Sequence, residues 1–299
     1  MVQAIVPATT ANLGPGFDVL GLALNLYNTF TLSEIESGLV IEVSGNGAER
    51  LCRDENNLAY TAAKRLFDET GQSISGLRIG IDIGVPLGRG LGSSSTAIVG
   101  GLAAANELCG GQLSRQDIFA LATEIEGHPD NVGPAIFGGF TICYARQSAV
   151  QAVSLEPSKN IKPVVLIPSS MLETKKARSV LPESVAMADA VFNIGRSSIL
   201  VAALLEGRPD MLRDAMEDRL HQPYRAPLIP GMDRVIEALS RYPDIGVALS
   251  GAGPSILCLV ARSKETEHLE LIRDVLAELG QDYAMISLEF DLEGVTVKN

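Results

Sequence analysis

Residues 77–83 alternate apolar and polar positions cleanly, which predicts a strand with one buried face. The same signal covers 2–6, ending at Pro7, then 22–33 and 39–44, with Asn46-Gly47 as a turn. Asn57 opens a helical pattern to about residue 69, and Gly71 stops it. A helix over about 94–108 is almost entirely Ala, Gly, Ile, Val and Leu, so it is expected to be buried on most sides. Another follows Ser114 and ends near Glu126-Gly127. Beyond a loop at 128–134 come strand patterns at 135–145, 151–155 and 164–167, then a charged loop or short helix at 171–179. Helices are predicted at 185–206, 210–220, 231–240 and 265–279, a hairpin joins 246–249 to 256–260, and a last strand lies within 284–297. Adjacent strand pairs mixed with helices indicate an α+β fold. The stretch 156–163, with Pro157, Lys159, Asn160 and Lys162, is the expected boundary between domains 1–157 and 158–299.

Composition narrows the function classes. A net charge of −12 argues against a nucleic-acid backbone binder, and the absence of Trp argues against a base-stacking platform. A local positive pocket for a small anion stays compatible with that total. Cys52, Cys109, Cys143 and Cys258 form no C-x-x-C pair, which suits a reducing compartment. The three histidines form no zinc pattern, and neither a secretory signal nor an uninterrupted membrane-spanning run is read, so a cytoplasmic protein is expected.

The candidate chemistry concentrates in Pro86-Leu87-Gly88-Arg89-Gly90-Leu91-Gly92-Ser93-Ser94-Ser95-Thr96. Glycines allow tight turns and close approach to a ligand, and the helix behind them offers unpaired N–H groups and a positive dipole end to phosphate. Four consecutive hydroxyl residues at the junction add a cap or further donors. The run matches neither the Walker A spacing nor the dinucleotide fingerprint.

Three loops in order carry a resemblance: the 12–18 loop, the Gly-rich run, and Gly251-Ala252-Gly253-Pro254. They are similar to the GHMP kinase superfamily of small-molecule kinases. Three strings resemble its homoserine kinase family: Pro7-Ala8-Thr9-Thr10-Ala11-Asn12-Leu13-Gly14-Pro15-Gly16-Phe17-Asp18, Glu126-Gly127-His128-Pro129-Asp130-Asn131-Val132, and Glu173-Thr174-Lys175-Lys176-Ala177-Arg178. Thr10, Gly133 and Ser255 depart from the usual serine, alanine and threonine, all small-for-small changes. The resemblance spans the whole chain. It implies a two-domain fold, the N-terminal domain like the second domain of ribosomal protein S5 and the C-terminal one ferredoxin-like, with the active site in the cleft.

The resemblance also implies roles. ATP phosphates would be wrapped by Pro86, Gly88, Arg89, Gly90, Leu91, Gly92, Ser93, Ser94, Ser95 and Thr96, with Ser94 toward Mg²⁺, and Asn57 would reach the adenosine while also serving as a helix cap. Glu124 and Glu126 cannot share a helix face, and the resemblance favours Glu124 on the metal. The acceptor would be L-homoserine. Arg178 and Arg225 would hold its carboxylate, Asp18 its ammonium, Asn12 would orient it, and Asn131 with His128 would meet its hydroxyl. Thr174 and Gly251 would complete the pocket. No residue stands out as a general base, so direct attack on the γ-phosphorus is expected, with Asn131, Glu124 and Ser94 as the catalytic groups. A homodimer is also expected from the resemblance. The alternatives are another GHMP-type kinase, with a mevalonate-like or sugar acceptor, and a non-catalytic nucleotide-binding sensor on the same fold.

Overall fold

The computed structural model describes residues 1–147 and 149–299. In chain order the elements are β1 (Val2–Ala11), β2 (Leu20–Glu34), β3 (Gly38–Gly45), α1 (Leu58–Thr70), β4 (Gly76–Ile83), α2 (Ser93–Leu108), α3 (Arg115–Glu126), α4 (Val132–Phe137), β5 (Phe140–Arg146) and β6 (Ala149–Leu155). Then follow β7 (Ile161–Pro168), α5 (Thr174–Ser179), α6 (Met187–Glu206), α7 (Leu212–Ala215), α8 (Gln222–Arg225), α9 (Met232–Leu239), β8 (Ile245–Leu249), β9 (Ile256–Ala261), α10 (Glu265–Glu278), β10 (Tyr283–Ser287) and β11 (Thr296–Lys298).

Strands β11-β1-β2-β4-β3 form one sheet, extended by β5 on the early part of β2 and by β6 on β5. Its apolar face packs on α1, α2 and α3. Within this layer a Cβ on Gly101 of α2 would lie 2.3 Å from the Ala59 carbonyl oxygen, so glycine lets α1 approach at backbone distance. The second sheet has the order β10-β7-β9-β8, all antiparallel. With α6 and α10 as connections, this is the strand order of a ferredoxin-like βαββαβ unit. Strands β7, β8 and β9 are buried on both faces and so read as nearly unbroken apolar runs, whereas the edge strand β10 is only half-buried. Val165, Leu257 and Leu259 pack toward the first sheet and α6, whereas Val164, Cys258 and Val260 pack toward α9 and α10.

Four readings change. β1 continues through Pro7 to Ala11, because Pro7 sits where the register shifts, and a bulge tolerates a missing N–H. Residues 135–137 belong to α4, which accommodates Pro134 in its first turn. The 210–220 helix stops at α7, since Asp218 takes the backbone N–H groups of Leu220, His221 and Gln222 and so caps α8 instead. The 284–297 strand splits into β10 and β11 on different sheets, with the Gly294 N–H on Asp291 Oδ1 at 2.7 Å turning the chain between them. Among the described residues α6 alone is long and apolar enough to cross a membrane.

Candidate active site

The Gly-rich run forms the turn from β4 into α2, with Gly88, Gly90 and Gly92 at φ of 62, 73 and 68°. Neighbouring loops grip it closely. Ser250 Oγ donates to the Gly90 carbonyl at 2.6 Å, and Thr9 N–H donates to that of Leu91 at 3.1 Å. A Cβ on Gly90 would stand 2.2 Å from the Ser250 carbonyl oxygen, and one on Gly92 1.9 Å from Thr9 Oγ1. The N-terminus of α2 is thereby left facing out, a cradle for an anion. Beside it lies a cavity of about 290 Å³ lined by Phe30, Asn56, Asn57, Leu87, Ser93 and Ser94 among others. Asn57 caps α1 by accepting the Ala59 N–H at 3.0 Å, its amide donates to the Cys52 carbonyl at 2.7 Å, and it also lines this cavity.

Not every residue of the run faces the cradle. Leu91 is buried in the core, and Thr96 is enclosed, accepting from Asn28 Nδ2 at 2.8 Å and donating to the Ser93 carbonyl. Arg89 reaches away to the Ser169 carbonyl at 2.6 Å. Burial, followed by the charge of Arg50, lowers its pKa.

The two glutamates are placed opposite to expectation. Ser94 Oγ and Ser95 Oγ donate to Glu126 at 2.8 and 2.9 Å, one to each carboxylate oxygen. Glu124 points to solvent, 3.5 Å from Arg65. The physical reason is the register of α3 against α2: only the last residue before Gly127 meets the hydroxyls at the head of α2. Among the described residues there is no cluster of three or more His, Cys, Asp or Glu arranged for a metal ion. A hard cation held mostly by phosphate and water needs fewer protein ligands than that, and Glu126 with Ser94 is such a set.

The 12–18 loop carries the second half of the site. Asn12 Oδ1 accepts the Asp18 N–H at 3.0 Å, and its amide donates to the Gly251 carbonyl at 2.8 Å. Asp18 closes a two-pronged ion pair with Arg178 of α5, at 3.0 and 2.6 Å. Thr174 lies one turn earlier on α5, exposed to solvent. Arg225, expected with Arg178 to hold a carboxylate, is buried. Its Nε donates to the Ala177 carbonyl at 3.2 Å, and its Nη1 to Gly251 O and His221 Nδ1, both at 3.1 Å. Desolvation, then the nearby Arg178 charge, pulls its pKa down to about 10, which still leaves it charged at neutral pH.

The sequence reading passed over Phe17, Thr9 and His221. The Phe17 ring stacks on His221 and lies 5.6 and 5.4 Å from the guanidinium carbons of Arg178 and Arg225. An aromatic between Gly16 and Asp18 in a Gly/Pro-rich loop was the available signal. His221 donates from Nε2 to the Gly14 carbonyl at 2.8 Å, leaving Nδ1 to accept from Arg225, and burial lowers its pKa.

Between the two halves sit Asn131 and His128. Asn131 Oδ1 accepts from Thr9 Oγ1 at 2.8 Å, and a Cβ on Gly92 would be 3.2 Å from it. His128 Nδ1 bonds Asp130 at 2.7 Å, and its Nε2 lies 4.0 Å from Glu126. Burial alone would lower the His128 pKa, but the Asp130 hydrogen bond and charge, with Glu126 behind them, hold it above its ordinary value.

Comparison with known proteins bears on this geometry. The family model described as GHMP kinases N terminal domain matches residues 57–139, and GHMP kinases C terminal matches 200–282. The homoserine kinase of Clostridium botulinum (strain ATCC 19397 / Type A) is 42% identical over 299 residues, covering 100% of this chain and 99% of that one. The chain belongs to the homoserine kinase family of the GHMP kinases. The homoserine kinase of Carboxydothermus hydrogenoformans is 45% identical over 264 residues, covering 88% of this chain and 86% of its own. The crystal structure of homoserine kinase from Cytophaga hutchinsonii ATCC 33406 superposes with a TM-score of 0.86 at 29% identity, covering 99% of this chain and 97% of that chain. The two-domain GHMP kinase fold is thus shared across the full length.

Proposed function

We propose that the protein phosphorylates the side-chain hydroxyl of L-homoserine with ATP, giving O-phospho-L-homoserine and ADP. The observation that carries the reading is the Asp18–Arg178 pair beside the Gly-rich cradle, with Arg225 behind it. Opposite charges side by side match the ammonium and carboxylate of a free amino acid, a demand that a mevalonate or sugar acceptor does not make. Membership of the family supports the same acceptor.

The phosphates of ATP would lie on the backbone N–H groups of residues 88–95 at the head of α2, and the base in the cavity next to Asn57. Ser94, Ser95 and Glu126 would hold Mg²⁺, which supplies positive charge where the triphosphate is most negative. Arg178 and Arg225 take the carboxylate of homoserine, Asp18 its ammonium, and Asn131 directs the hydroxyl beside Gly92. The hydroxyl oxygen bonds to the γ-phosphorus as the bond to the bridging oxygen breaks, ADP departs, and the proton passes to phosphate or solvent. Rate enhancement then comes from positioning and from fixed donors around the moving charge.

The domain division at 1–157 and 158–299 is part of this reading, supported by the change of sheet between Leu155 and Ile161, although β11 returns to the first sheet. The free cysteines support a cytoplasmic site of action.

Calorimetric titration of Arg178→Ala with each substrate tests the placement. Homoserine affinity should fall by roughly 2–5 kcal/mol, the scale for stripping one partner from a buried charged contact, with ATP affinity unchanged. Loss of ATP binding with homoserine binding intact would overturn it.

A further inference from the structure

Asp218, His221 and Arg225 follow one another closely in sequence, and their side chains are enclosed together beneath the 12–18 loop. Asp218 Oδ1 accepts from Asn193 Nδ2 at 2.7 Å and from the Leu220 N–H at 2.9 Å. Its Oδ2 accepts the N–H groups of His221 and Gln222 at 3.0 and 2.7 Å. The carboxylate thus fixes the backbone that carries the imidazole. The ring has a carbonyl on one side and a guanidinium on the other. Gly14 O only accepts, so Nε2 must carry the proton, and Arg225 Nη1 only donates, so Nδ1 must be bare. These neighbours admit one state of the imidazole, neutral with its proton on Nε2. Burial, opposed by the Asp218 charge 3.5 Å away, lowers the His221 pKa and favours that neutral state.

Arg225 is gripped through two of its three nitrogens: Nε by the Ala177 carbonyl, Nη1 by the Gly251 carbonyl and His221 Nδ1. Among the described residues Nη2 makes no hydrogen bond, so the grip on the other two nitrogens decides where it points. The 12–18 loop is tied to the same ring. Gly14 accepts from it, and Phe17 stacks on it with centroids 5.3 Å apart and 28° between planes. Phe17 adjoins Asp18, the partner of Arg178. One ring therefore registers the arginine against the loop that carries the carboxylate. We propose that His221 is a positioning residue for acceptor binding: its neutral ring aims Arg225 Nη2 at the acceptor carboxylate and holds the 12–18 loop in place. Being fully buried, it does not itself touch the acceptor. This inference rests on the amino-acid acceptor proposed above. A histidine that merely fills space has no need of an acceptor at one nitrogen and a cationic donor at the other.

Two variants separate the two contacts. His221→Asn keeps an acceptor near the Nδ1 position for Arg225, whereas His221→Gln keeps a donor near the Nε2 position for Gly14 and leaves Arg225 without its acceptor. Circular dichroism verifies folding of each. His221→Gln should raise the KM for homoserine roughly 10–100-fold, the scale for a hydrogen bond lost at a charged group. The KM for ATP should stay within about twofold and kcat within about threefold, because the carboxylate is bound alike in ground and transition states. His221→Asn should raise the homoserine KM by no more than about threefold. Nitrogen-15 spectra of the histidine rings, three in the full chain, read the tautomer with no substrate present. The His221 ring, identified as the signal missing from both variants, should be neutral at pH 7 with its proton on Nε2. A proton on Nδ1 or on both nitrogens overturns the proposal. Equal rises in KM for ATP and homoserine overturn it too, as do equal homoserine KM values in the two variants. A wild type that turns over no homoserine, seen before any variant is compared, would fail the acceptor reading and this inference with it.

Discussion

At the residue scale, the choice between Glu124 and Glu126 shows where sequence stops. Their spacing establishes that they diverge on α3, but which one meets Ser94 and Ser95 depends on how α3 lies against α2, and that is a tertiary fact. Glu126→Gln should therefore lower kcat by on the order of 10²–10³, the scale for losing a group that stabilises transferring charge. Glu124→Gln, which removes only an exposed contact with Arg65, should stay within about threefold of wild type. Equal losses in steady-state assays would contradict the assignment. His128 gives a pH signature. Its folded pKa is raised above the ordinary value of 6.5, so its contribution to stability is complete below that pH and is lost as pH rises through the folded pKa. Urea unfolding should show the advantage of wild type over His128→Gln shrinking from pH 6 to pH 8.5, and an advantage that grows with pH would reverse the sign. Asp18 and Arg178 were legible as matching charges in similar motifs. The commitment of Arg225 to the Ala177 and Gly251 carbonyls was not, because those partners lie 48 and 26 positions away in sequence and only the fold closes the gap.

At the element scale, local signals sufficed wherever a cap or a period was complete. The Asn57 and Gly71 ends of α1, the alternation in β4 and the Ser114 cap of α3 all appear where the pattern put them. Patterning failed where a distant partner decided the outcome: Pro7 is kept in β1 by pairing with β2, and Asp218 ends a helix by capping the next one. The cradle is also a tertiary product, since the positive φ of Gly90 matters because Ser250 presses on it. Gly90→Ala should cost at least about 2 kcal/mol, combining left-handed strain with a backbone clash at 2.2 Å. Gly110→Ala, at φ +83° with nothing within 4 Å of its Cβ, should cost only about 1 kcal/mol from strain. Urea midpoints compare the two, and equal costs would mean that the loop is not gripped by Ser250.

At the scale of the whole molecule, the α+β class follows from the strand and helix patterns, while the strand orders do not. Nothing local in residues 284–297 reveals that β10 and β11 join different sheets, for their partners, β7 and β1, lie more than a hundred residues away. That arrangement brings the cradle at α2 and the charged pair of Asp18 and Arg178 together between the sheets, one half for the phosphoryl donor and one for a zwitterionic acceptor. The most direct measurement is a coupled ADP-release assay with Mg-ATP over homoserine, mevalonate and galactose. Homoserine should be used with a kcat/KM at least about 100-fold above either of the others, since an acceptor without the ammonium leaves Asp18 unmatched in the site. Mevalonate or galactose turnover equal to that of homoserine would contradict the account.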